Sequence, residues 1–85
     1  MERELTTLEG LVERRIAQKG TASEHEGTYL ITQERAYLLQ RIDANPFMDP
    51  ILELLVGKRI RCTGYLLPSN ILRVKMFDEL PNEKN

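Results

Sequence analysis

The segment Asp49-Pro50-Ile51-Leu52-Glu53-Leu54-Leu55-Val56-Gly57 constrains the fold more than any other part of this chain. It reads as a capped helix of barely two turns. Asp49 accepts hydrogen bonds from first-turn N–H groups, Pro50 suits the first helical position, and Gly57 supplies the left-handed stop. Three strand-like segments precede it and two follow. A lone short helix between three strands and two predicts an all-β domain: a small five-stranded β-barrel with the helix between strands 3 and 4.

The alternation of apolar residues supports that order. Thr6–Ala17 reads as the first strand, with Leu8, Gly10, Val12 and Ile16 on one face. Gly10 within it predicts a bend or bulge. Gln18–Gly27 is a polar loop, Thr28–Thr32 the second strand, Gln33-Glu34 a tight turn, and Arg35–Ile42 the third strand. Asp43–Met48 follows as a loop with Asn45-Pro46 as its turn signal. After the helix, Lys58–Leu67 alternates cleanly, with Ile60, Cys62, Gly64 and Leu66 facing inward. Pro68-Ser69-Asn70 turns the chain into Ile71–Phe77, where Leu72, Val74 and Met76 are expected inside and Ile71, Arg73, Lys75 and Phe77 outside. Asp78–Asn85 reads as a polar tail.

The 85 residues suffice for one domain, 1–85, with a folded body of about 6–77. No apolar run approaches the ~20 residues of a membrane-spanning helix. The start, Met1-Glu2-Arg3-Glu4, lacks the apolar stretch of a secretory signal. A cytoplasmic protein with no membrane contact is therefore expected. One cysteine, Cys62, and one histidine, His25, exclude an intrachain disulfide and a Cys/His zinc site. No metal and no cofactor is expected. Phosphate-loop, metalloprotease and nucleophile-elbow spacings are absent, so the chain reads as non-enzymatic.

Net charge is −1, but residues 10–77 carry ten Lys/Arg against seven Asp/Glu. That surplus hints at a basic face. Arg59, Arg61 and Tyr65 alternate outward on the fourth strand, and Arg73 and Lys75 on the fifth. Side by side in a hairpin, these bases would track a phosphate backbone while Tyr65 stacks on a base. A solvated face salt-bridged to nearby acids is the alternative. Tyr37, Leu39 and Arg41 share one side of the third strand, which makes Tyr37 and Arg41 further candidates; core packing is the alternative for Tyr37. Arg14, Arg15 and Lys19 could form a basic loop, and Phe47 could plug one barrel end. His25 reads as a loop residue, and Cys62 as a core hydrophobe.

Leu8-Glu9-Gly10-Leu11-Val12, Gly27-Thr28-Tyr29-Leu30-Ile31-Thr32, Asn45-Pro46-Phe47 and Leu55-Val56-Gly57-Lys58-Arg59-Ile60-Arg61-Cys62-Thr63-Gly64-Tyr65 together resemble small bacterial OB-fold proteins. The likeness spans about residues 6–77 and rests on scaffold positions: helix stop, strand alternation and glycine bends. It implies a binding module and carries over no functional residue. Two function classes stay open. One is single-stranded nucleic-acid binding; the other is a protein partner or homodimer contact through a sheet edge or face.

Overall fold

The computed structural model describes residues 4–17, 25–45 and 48–81. Among them are strands β1 (Thr6–Ala17), β2 (His25–Ile31), β3 (Ala36–Arg41), β4 (Arg59–Leu67) and β5 (Ile71–Glu79), with the one-turn helix α1 (Pro50–Glu53) between β3 and β4. The strands form one sheet that closes in a ring in the order β1-β2-β3-β5-β4. β3 and β5 run parallel and every other pair is antiparallel. A parallel pair demands a crossover between its strands; here α1 and β4 supply it.

The inward alternation builds the core. Val12, Leu30, Leu39, Leu52, Ile60, Cys62 and Leu72 are fully buried, and Leu8 and Phe77 pack against them. Each fully buried aliphatic side chain contributes roughly 1.5–3 kcal/mol against exposure. Gly10 lies where β1 passes from β4 to β2, and a Cβ there would sit 2.2 Å from the Ile31 carbonyl oxygen. A Cβ on Gly64 would sit 1.9 Å from the Arg73 carbonyl oxygen. Both corners require a residue without a side chain.

Several boundaries differ from expectation. α1 is one turn, because the chain after Glu53 tightens: Leu55 N–H donates to Leu52 O at 3.0 Å and Val56 N–H to Glu53 O at 3.3 Å. Gly57, at φ +90°, then donates its N–H to Val12 O at 2.8 Å, while Val12 N–H donates to Lys58 O at 2.9 Å. The helix end is thus stitched to β1. β2 begins at His25 because β1 extends to Ala17 and pairs with it there. β5 continues through Glu79, so Asp78 and Glu79 are strand, paired with Arg61 and Ile60.

The facing of β5 is corrected by a bulge. Thr63 pairs with Met76 but Gly64 pairs with Val74, which leaves Lys75 without a partner. The extra residue flips the alternation beyond it. Met76 is therefore exposed and Phe77 packs against the core, the reverse of a strict period of two. Ile16 and Leu66 are exposed as well, near the ends of β1 and β4. Pro46, Phe47, Lys19 and most of the Gln18–Gly27 loop lie outside the described residues, so the end-plug and basic-loop expectations do too.

Candidate nucleic-acid interface

The outer face of β4 and β5 carries the basic and aromatic residues expected there. Tyr65 lies directly opposite Arg73, and Arg73 lies beside Gln40 of β3. A row Gln40–Arg73–Tyr65 therefore crosses three strands on one surface. Lys75 stands next to it on the bulge, exposed. Arg59, Arg73 and Lys75 form no ion pair among the described residues.

Arg61 is differently placed. It lies opposite Glu9 of β1 on one side and Asp78 of β5 on the other. Its Nε donates to Glu9 Oε2 at 2.9 Å, so an acid already occupies its guanidinium. Both side chains are about half exposed, and such a surface pair is worth ~0–1 kcal/mol. A phosphate can compete for Arg61, but only by displacing Glu9.

Tyr37 and Arg41 do share one side of β3, and that side is the interior. Tyr37 is 8 % exposed and belongs to the core cluster, so its ring offers no open stacking surface. Arg41 is committed to Asp49: Nε donates to Oδ2 at 2.9 Å and Nη2 to Oδ1 at 3.0 Å. Asp49 also accepts the N–H of Ile51 at 3.0 Å and of Leu52 at 3.4 Å. Burial pushes the Asp49 carboxyl up, but the Arg41 guanidinium and these backbone donors outweigh it and hold the pKa below its ordinary value. Neither Tyr37 nor Arg41 belongs to the outer basic face.

Sequence reasoning left out one neighbour of that face. Gln40 reaches it through the parallel β3–β5 register, which no local pattern reveals. Tyr29 of β2 begins a second row, Tyr29–Leu38–Ile71–Leu67, half-buried throughout. Burial raises the Tyr29 pKa, partly offset by Arg15. The other arginines serve the scaffold. Arg14 pairs with Glu26 at 3.0 Å and with Glu53 of α1 at 3.2 Å, and Arg15 with Glu13 at 3.1 Å.

Burial pushes the Cys62 thiol up to about 12, so it carries no thiolate near neutrality. Among the described residues no cluster of His, Cys, Asp or Glu could hold a metal ion, and no helix is long and apolar enough to cross a membrane. Comparison with protein families, with curated proteins and with solved structures finds no match for this chain.

Proposed function

We propose that this chain is a non-catalytic binding module of OB-fold type that takes single-stranded nucleic acid across the outer face of β4 and β5. The observation that carries the reading is Tyr65 directly opposite Arg73. A planar ring beside a guanidinium with no ion-pair partner among the described residues supplies base stacking and phosphate neutralisation in one place. Lys75 and Arg59 extend the charge, and Arg61 joins when a phosphate displaces Glu9. The OB-type assignment is supported by the strand order, the parallel β3–β5 pair and the position of α1. A cytoplasmic location goes with this reading.

The test is a fluorescence-anisotropy titration of labelled oligothymidine and a mixed-sequence RNA at low and moderate salt. Micromolar binding that weakens as salt rises is the expected result. Absence of binding at low salt would remove the reading.

A protein-contact reading has its own supporting observation. Met48, Ile51 and Leu54, spaced by three residues around α1, are all exposed, at 74 %, 43 % and 72 %. Exposed apolar groups so grouped mark contact surfaces. Concentration-dependent self-association that is lost in Met48→Ser/Leu54→Ser would favour it.

A further inference from the structure

β1 changes partner along its length. Thr6–Leu11 pairs with β4, and Leu11–Ala17 pairs with β2. β2 ends at Ile31, opposite Leu11, and the chain then turns away. Thr32 holds that turn: its hydroxyl accepts the N–H groups of Glu34 and Arg35, both at 3.2 Å. The edge of Thr6–Gly10 that β2 would have covered therefore meets no strand among the described residues. Outside the strand ladders, no backbone hydrogen bond of the described residues involves Thr6–Gly10 either. Main-chain N–H and C=O groups point alternately to the two edges of a strand, so about half of this segment's groups have no partner among the described residues.

The free edge opens on a cleft of about 530 Å³, lined by Leu8, Glu9 and Gly10 on one side and by Thr32, Glu34 and Arg59 around it. Beyond Val74, β5 likewise runs past the end of β3. That edge is blunted by the bulge and by the charges of Lys75, Asp78 and Glu79. Among the described residues the β1 edge has no such guard. Its one charged residue, Glu9, is turned to the outer face and held by Arg61.

We propose that the Thr6–Gly10 edge takes an extended peptide segment, which adds a strand beside β1 where β2 leaves off. Five residues at ~3.4 Å each give roughly 17 Å of edge. The hairpin tip walls the cleft, which fits a single strand and not the broad edge of a second folded copy. The Glu34 carboxylate, which has no ion-pair partner among the described residues, disfavours a phosphodiester chain here. Arg59 at the Leu11 end, in no ion pair among the described residues, favours an acidic side chain on the guest. This ligand differs from that of the nucleic-acid reading, the two surfaces share Arg59 alone, and main-chain pairing, not side-chain charge, would supply the affinity.

The test selects random heptapeptides displayed on phage against the whole protein, then measures amide hydrogen exchange with the best peptide in synthetic form. The expected result is slowed exchange at alternate residues within Thr6–Gly10, the ones not bonded to β4. N-methylation of alternate amides in that peptide should weaken binding at least tenfold, and oligothymidine should not displace it. Recovery of no peptide, protection elsewhere, or binding indifferent to N-methylation would overturn the proposal.

Discussion

Arg41 and Asp49 are joined by a two-pronged contact, Nε to Oδ2 at 2.9 Å and Nη2 to Oδ1 at 3.0 Å, that ties the end of β3 to the cap of α1. The Asp49 side chain is 1 % exposed, whereas that of Arg41 is 34 % exposed. One partner is thus a buried charge whose solvation the protein itself must replace, through the guanidinium and two helix N–H groups.

Replacing Asp49 with Ala should destabilise the fold by about 2 kcal/mol, since it removes a helix cap and the fork together. Arg41→Ala should be at least as harmful, because it leaves the Asp49 carboxylate buried with backbone donors alone. Urea denaturation of both variants and of the double variant checks this. The double variant should fall well short of the sum of the two losses.

Asp49 also sets an acid limit. Its pKa in the folded protein lies below the ordinary 3.8, so the unfolded chain binds its proton first. The stability it contributes is present above the ordinary carboxylate pKa and is lost as pH falls through the lower folded value. Wild-type stability should therefore fall more steeply than that of Asp49→Asn below about pH 4. Urea midpoints measured across the acid range decide it; parallel curves would contradict it.

Three glycines should rank by geometry. Gly57→Ala faces open space at φ +90°, so only backbone strain opposes it, roughly 1–2 kcal/mol. Gly10→Ala and Gly64→Ala would drive a Cβ into a neighbouring carbonyl and should cost more, about 3 kcal/mol. Thermal unfolding of the three variants gives the order.

Cys62 should resist alkylation in the folded protein and react on unfolding. It is fully buried and its thiol is pushed up to about 12. Iodoacetamide labelling at pH 8 should track the unfolded population through a urea series. Fast labelling without denaturant would contradict the burial.

Glu9→Gln frees Arg61 of its competing carboxylate. If β4 and β5 bind single strands, this variant should bind oligothymidine about threefold more tightly, within the ~0–1 kcal/mol of an exposed pair. Its salt slope should steepen by roughly 0.7, one further phosphate contact. Anisotropy titrations against salt read both quantities.

The order of the strands and the place of α1 were legible because their signals are local. Alternation marks Ile60–Gly64, and Asp49-Pro50 announces a helix start. Gly10 announced a corner because only a residue without a side chain passes so close to a carbonyl. What was not legible depends on pairing between distant segments. The unpaired Lys75 exists only because β4 and β5 fit together around Gly64, and it reverses Met76 and Phe77. The same limit holds for the candidate site. Tyr65, Arg73 and Lys75 stayed together because hairpin neighbours are predictable. Arg41 left the set because its partner, Asp49, approaches across a loop, and Tyr37 left it because the interior side of β3 is decided by closure of the ring.

Whether the outer face of β4 and β5 binds single-stranded nucleic acid is decided by the salt dependence of oligothymidine binding in the wild type and in Arg73→Glu/Lys75→Glu. Both residues are exposed and outside the core, so the variant should stay folded. Wild-type binding should be micromolar with a steep salt slope. In the variant, affinity should fall at least tenfold and the slope should flatten by roughly 1.4, two phosphate contacts. Equal affinity and equal slope in the two proteins, or no wild-type binding at low salt, would contradict binding at this face.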